Sequence, residues 1–259
     1  EFGAALSLSG DGNILAVGAP YNNGQEGLVR VFTLNTNTWV QIGSDITGDT
    51  PGDQFGYIVS LSSNGNRLAI SAVDYDSQRG LVRVFTLNTN TWVQIGSDIT
   101  GDTPGDQFGY FLSLSADGNT LAVGAPYNDS ERGHVKVFRI ISNTLRQIGS
   151  DITGYATGDE FGAAVSLSSD GNILAVGAPD YDSERGQVRV YGRNEQGIWV
   201  QIDGNINGEA LQDNFGYSVS LSSDGNRLAI GAPYNDSNEN NNSGSVRVYS
   251  INVTTNEPT

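Results

Sequence analysis

The stretch Phe161-Gly162-Ala163-Ala164-Val165-Ser166-Leu167-Ser168-Ser169-Asp170-Gly171-Asn172-Ile173-Leu174-Ala175-Val176-Gly177-Ala178-Pro179 is two short apolar runs joined by a polar turn. Asp-Gly at the joint favours the positive φ of a tight hairpin or G1 bulge, so the two runs read as paired strands, A and B. Beyond a polar loop, Gly186-Gln187-Val188-Arg189-Val190-Tyr191 and Trp199-Val200-Gln201-Ile202 supply strands C and D. No window carries a sustained helical period. The unit is four antiparallel strands.

The same unit recurs along the chain. Phe-Gly stands at Phe2, Phe55, Phe108, Phe161 and Phe215, at spacings of 53, 53, 53 and 54 residues. Residues Gly27 to Tyr57 reappear unchanged as Gly80 to Tyr110, the mark of a recent duplication. A four-stranded unit with a period of roughly 50 residues predicts a β-propeller blade, whereas a β-solenoid has a shorter period. The expected architecture is an all-β, five-bladed β-propeller forming a single domain, with units at 2–54, 55–107, 108–160, 161–214 and 215–259. The last unit lacks a W-V-Q-I segment, which predicts a three-stranded fifth blade whose strand C is an open edge.

With Gly-Ala-Pro at Gly18, Gly124, Gly177 and Gly231 in step with the five Phe-Gly pairs, the sequence resembles the FG-GAP repeat family, known from the N-terminal propeller of integrin α chains. The second unit departs, with Ser71-Ala72-Val73. The resemblance implies a recognition or adhesion role outside the cell or on its surface. In the integrins several A to B turns hold calcium, but the turns here carry one acid each, at Asp11, Asp117, Asp170 and Asp224, with Asn64 in unit two, so that site does not transfer.

Composition narrows the function. Twenty-nine acidic against 13 basic residues give a net charge of −16, which repels nucleic acid and anionic lipid and favours cations or basic partners. No apolar run is long enough for a membrane-spanning helix, so membrane insertion is not expected. There is no Cys and a single His, His134, read as a surface strand residue; thiolate chemistry and multi-His metal sites are excluded. No nucleophile elbow or phosphate-binding loop is present.

Strand alternation puts the B to C loops and the links between units on one face. That face takes all the acids except Asp11, Asp117, Asp170, Asp224, Glu195 and Glu257. Within its loops, Asp74, Asp76, Asp129, Asp180, Asp182 and Asp236 form oxygen-only clusters suited to calcium, although the sequence requires no cofactor. Capping of turns by Asp and Asn is the leading account of the same residues. Tyr21, Tyr75, Tyr127, Tyr181 and Tyr234, in the same loops, offer rings that could stack on a sugar or a peptide, with packing across the loop as the leading account. The tryptophans Trp39, Trp92 and Trp199 are assigned to packing between units or to shielding the outer edge, and the strand C bases, from Arg30 to Arg247, to positions pointing outward between blades.

The expected function is non-enzymatic: an extracellular or cell-surface recognition propeller that binds a protein or glycan ligand through the acidic face. The alternatives are a carbohydrate-active enzyme using loop carboxylates and an architectural repeat of a larger surface protein. Self-association through the open edge of blade five is a further expectation. Sequons at Asn128, Asn235, Asn241 and Asn252 permit glycosylation on a eukaryotic secretory route.

Overall fold

The A to B turn is built the same way in every repeat. The Ser9 hydroxyl donates to Asp11 Oδ1 at 2.6 Å, and that oxygen also accepts the Asn13 N–H at 3.0 Å. The Ile14 N–H donates to Ser9 Oγ at 2.9 Å, which closes the hairpin. Ser115-Asp117, Ser168-Asp170 and Ser222-Asp224 repeat the pattern, with Ser62-Asn64 in the second unit. These bonds hold the Asp11 carboxyl down to about 2, led by the Ser9 hydroxyl. The acids of these turns are structural caps.

A computed structural model describes residues 1–236 and 243–252; the sequon residue Asn241 lies outside them. Five antiparallel sheets follow in chain order. The first is β1 (Ala5–Leu8), β2 (Ile14–Ala19), β3 (Leu28–Asn35) and β4 (Thr38–Gln41), with β5 (Ile46–Thr47) also on β3. The second is β6 (Phe55–Leu61), β7 (Arg67–Ala72), β8 (Leu81–Asn88) and β9 (Thr91–Thr100). The third is β10 (Phe111–Leu114), β11 (Thr120–Ala125), β12 (His134–Ile141) and β13 (Thr144–Gln147), with β14 (Ile152–Thr153) on β12. The fourth is β15 (Ala164–Leu167), β16 (Ile173–Ala178), β17 (Gln187–Arg193) and β18 (Trp199–Gln201), with β19 (Ile206–Asn207) on β17. The fifth is β20 (Ser218–Leu221), β21 (Arg227–Ala232) and β22 (Ser245–Ser250). The fold is an all-β, five-bladed β-propeller whose last blade has three strands among the described residues. The expected D strands are present in the first four blades, three of them broken into two pieces.

The chain forms two compact units, Glu1–Leu121 with Phe138–Arg146, and Ala122–Val137 with Gln147–Thr259; strands of the third sheet contribute to both. In the first, Val29 and Val31 of β3 pack with Phe55, Val59 and Leu61 of β6. In the second, Val188 and Val190 of β17 pack with Phe215 and Leu228 of the next blade. β11 and β16 are buried at every position, and both carry the apolar run Leu-Ala-Val.

Two further devices join neighbouring blades. Ser7 Oγ of β1 accepts the Leu61 N–H of β6 at 2.9 Å, and Ser166 Oγ of β15 accepts the Leu221 N–H of β20 at 3.0 Å. Each uses a backbone donor that the blade's own ladder leaves over. The glycine of Gly-Ala-Pro is required by close approach: a Cβ on Gly177 would stand 2.1 Å from the carbonyl oxygen of Gly216 in the next blade.

Candidate functional site

The B to C loops carry most of the predicted site. In blades two to four each loop contains a single turn, α1 (Tyr75–Gln78), α2 (Asn128–Glu131) and α3 (Tyr181–Glu184). Within each turn three successive residues are left-handed: Asp76, Ser77 and Gln78 have φ of 48°, 59° and 64°, and Asp129-Ser130-Glu131 and Asp182-Ser183-Glu184 match them. Asn23-Gly24-Gln25 does the same in the first blade. Such backbone costs about 1 kcal/mol or more per non-glycine residue, so the surroundings must hold it.

The link to the next blade supplies that hold. In the first unit the carbonyls of Ser77, Gln78 and Arg79 accept the N–H groups of Gly105, Gln107 and Phe108 at 3.1, 2.7 and 3.1 Å. In the second unit Ser130, Glu131 and Arg132 accept from Gly158, Glu160 and Phe161 at 3.1, 2.7 and 3.3 Å. The left-handed turn turns its carbonyls toward the following link and clamps it. The loop carboxylates serve the same turn, since Asp76, Asp129 and Asp182 pair with Arg79, Arg132 and Arg185, three residues on, at 2.7, 3.3 and 3.0 Å. All three aspartates are exposed, and each is held by its own arginine.

Asp74 and Asp180 occupy a different place, at the start of the turn. Gln54 donates to Asp74, and Asn214 Nδ2 donates to Asp180 Oδ1 at 3.0 Å. Burial raises both carboxyl groups above the usual range, and at Asp180 the charges of Glu184 and Glu131 add to it. Asp236 is exposed beside the buried Asn235, whose amide donates to Asp213 at 2.8 Å; residues 237–242 of that loop lie outside the described residues.

The five tyrosines fall at two backbone positions. Tyr127 has the backbone position of Asp74 and Asp180, with φ −91° against −91° and −90°. Tyr21 and Tyr234 align with Tyr127, while Tyr75 and Tyr181 stand one residue later. Tyr21 and Tyr234 are exposed, whereas Tyr75 packs half-buried against the core. Tyr155, which the sequence did not single out, is exposed in the link before blade four. Its ring covers the buried Arg189 guanidinium at 4.0 Å, with Phe161 at 3.9 Å.

The links carry buried carboxylates as well as exposed ones. Asp106 accepts the N–H groups of Asp102 and Thr103 at 3.0 and 2.8 Å, and Asp159 and Asp213 accept those of Ala156 and Ala210 at 2.9 and 3.0 Å. Just before Phe-Gly lies the position that the sequence reading missed, occupied by Gln54, Gln107, Glu160 and Asn214, all with positive φ. At Gln54 the amide donates to Gln25 and Asp74. Glu160 has no such donor, and burial together with the charges of Asp180 and Glu131 pushes it up to about 7. The only trace in the sequence is an acid where other repeats hold an amide.

Two other expectations change. The strand C bases do not simply point outward: Arg189 and Lys136 are buried, and Arg83 pairs with Asp49 and Asp98. His134 is buried too, because β12 begins where the next blade's Phe-Gly lies over it; a Cβ on Gly162 would be 2.7 Å from the His134 carbonyl oxygen. Trp92 packs half-buried against the core of the first unit and Trp199 is buried, in keeping with packing between blades.

A profile of the FG-GAP repeat matches residues 207–249. Integrin alpha-11 of Mus musculus is 32% identical over 193 residues, which is 66% of this chain and 16% of that protein. Among solved structures, hydrazine synthase of Kuenenia stuttgartiensis matches with a TM-score of 0.58 at 15% identity, over 88% of this chain and 61% of its own. TolB of Acinetobacter baumannii gives 0.53 at 16%, over 95% and 51%. A putative 6-phosphogluconolactonase of Bacteroides uniformis gives 0.57 at 14%, over 97% and 81%. These structures share the fold alone. No helix among the described residues is long and apolar enough to cross a membrane.

Proposed function

We propose that this array of FG-GAP repeats is a non-enzymatic recognition module of the cell surface or extracellular space, which binds a protein partner with a basic surface through its B to C loops and links. The observation that supports the reading most is how those loops are made. Backbone bonds clamp each left-handed turn to the next link, while Asp49, Asp76 and Asp102 in the first unit and Asp129, Glu131, Asp182, Glu184 and Glu209 in the second stay exposed. A clamped surface loses little conformational entropy on binding, and its negative field steers cationic partners. Likeness to an integrin α chain supports the adhesive setting. Exposed Tyr21 and Tyr234 leave a glycan as the weaker ligand class.

The test is biosensor binding of the immobilised chain to polylysine and a panel of basic proteins, with neutral oligosaccharides alongside. Saturable binding to a basic protein is expected, weakening with added salt and severalfold in E131Q/E184Q. No saturable binding to any cationic probe at low salt would refute the reading. A carbohydrate-active alternative has one observation in its favour, the raised Glu160 carboxyl, since a general acid must hold its proton near neutral pH. Oligosaccharide cleavage that disappears in E160Q would support that alternative.

A further inference from the structure

Each strand C carries a base at the same place, and a carboxylate reaches it from the blade's own D segment, from the link before the blade, or from both. Arg83 pairs with Asp98 of its D segment at 2.9 Å and with Asp49 of the preceding link. Arg30 pairs with Asp45 at 2.9 Å, Lys136 with Asp151 at 3.9 Å, and Arg247 with Glu209 of its link. In blade four both places have changed residue: Asn205 stands in the position of Asp98, and Tyr155 in that of Asp49. Arg189, the base of that blade, is left with no ion pair among the described residues.

Burial makes this loss matter. Arg189 is 3% exposed, and its Nε is enclosed without a hydrogen-bond partner among the described residues. Its polar contacts are the Thr153 carbonyl, which accepts from Nη1 at 3.3 Å, and the Tyr191 hydroxyl. The guanidinium also stands differently from its counterparts. It lies 3.9 Å from the Phe161 ring centre, where Arg83 and Arg30 keep 5.8 and 5.7 Å from Phe55 and Phe2. It is drawn back onto the aromatic ring, and the Tyr155 ring covers it at 4.0 Å. That ring is 55% exposed, and its hydroxyl donates to Gln201 Oε1 at 3.5 Å. Two ring faces and a neutral carbonyl compensate a buried cation less well than a bidentate carboxylate does.

We infer that Arg189, with Tyr155 as its cover, is a binding site for a carboxylate from outside the chain, carried by a small free acid or by an acidic side chain of a partner protein. The carboxylate takes the Nε donor that Asp98 takes on Arg83, and the Tyr155 ring swings aside to admit it. The site lies within the second compact unit, and its selectivity is opposite to that of the acidic loops. Those loops draw cations, whereas this site takes a single anionic group.

The test is NMR of the isotope-labelled chain, following the Arg189 Nε–H signal, identified by its loss in Arg189→Lys. Sodium acetate replaces sodium chloride at a constant ionic strength of about 200 mM, which screens the net charge of −16. A capped Gly-Asp-Gly peptide in a parallel titration stands for a partner's side chain. A saturable downfield shift is expected, with a dissociation constant of about 10 mM for acetate. A shift with acetate alone assigns the site to free acids, and a shift with the peptide assigns it to protein side chains. Asn205→Asp supplies the carboxylate from within, so its signal should already lie downfield and should not respond to acetate. Tyr155→Ala, which removes the cover, should bind acetate severalfold more tightly. Asn205 and Tyr155 are both exposed, so folding is not at stake in these variants. No saturable shift with either probe, or an Asn205→Asp variant that responds as the wild type does, would overturn the inference.

Discussion

Glu160→Gln isolates the one carboxyl that the surroundings push up to about 7 from an ordinary 4.5. Because its folded value is raised, the folded chain holds this proton more tightly than the unfolded chain. The resulting stability is present below pH 4.5 and is lost as pH rises through about 7. At about 1.36 kcal/mol per pKa unit the full effect is about 3 kcal/mol. Glu160 is only half-buried, and solvent screening reduces this to about 1–2 kcal/mol. Glutamine cannot ionise, and the equivalent Gln54 shows that the site accepts an amide. Urea unfolding of wild type and variant at pH 5 and pH 8 measures the gap, and other carboxyls cancel in the difference. The variant should gain about 1–2 kcal/mol relative to wild type between the two pH values. An equal gap at both would refute the account, and Glu131→Gln should reproduce part of the gain by removing one of the charges that raise the proton affinity.

Other substitutions probe the seams and loops. Gly177→Ala should destabilise by about 2–3 kcal/mol in denaturant unfolding, because its Cβ meets a neighbouring backbone carbonyl, whereas Gly204→Ala, with open space around it, should be near neutral. Asn205→Asp places a carboxylate where Asp98 serves Arg83 and should stabilise the buried Arg189 by about 1 kcal/mol, seen as a higher melting temperature. Asp170→Ala removes three hydrogen bonds from an A to B turn and should cost about 1 kcal/mol in the same assay. Since Arg79, Arg132 and Arg185 already hold the exposed loop aspartates, millimolar calcium should leave the melting temperature unchanged. A stoichiometric rise reversed by EDTA would instead make those aspartates ligands.

Much of the fold is legible in local chemistry. Ser-x-Asp-Gly-Asn closes its own hairpin, and the apolar runs on either side have only one antiparallel way to pair. The period of Phe-Gly then counts the blades. The candidate site was less legible, because part of what holds its loops lies far along the chain: Asn214 donates to Asp180, and Gly105 to the Ser77 carbonyl.

Residues Gly27–Tyr57 and Gly80–Tyr110 separate the two kinds of information, since they are the same residues in the same order. Both segments form C and D strands, with Leu28 on Thr47 and Leu81 on Thr100, so pairing and register come from the sequence alone. Their environments differ nonetheless. Trp39 is 41% exposed while Trp92 packs against the core, and Arg30 pairs with Asp45 while Arg83 pairs with both Asp98 and Asp49. The second copy lies against a preceding blade that contributes Asp49 and covers its outer strand. Strand pairing depends on neighbours within one unit, which the repeat carries with it, but burial and charge pairing depend on what the next sheet brings, and only the tertiary structure supplies that.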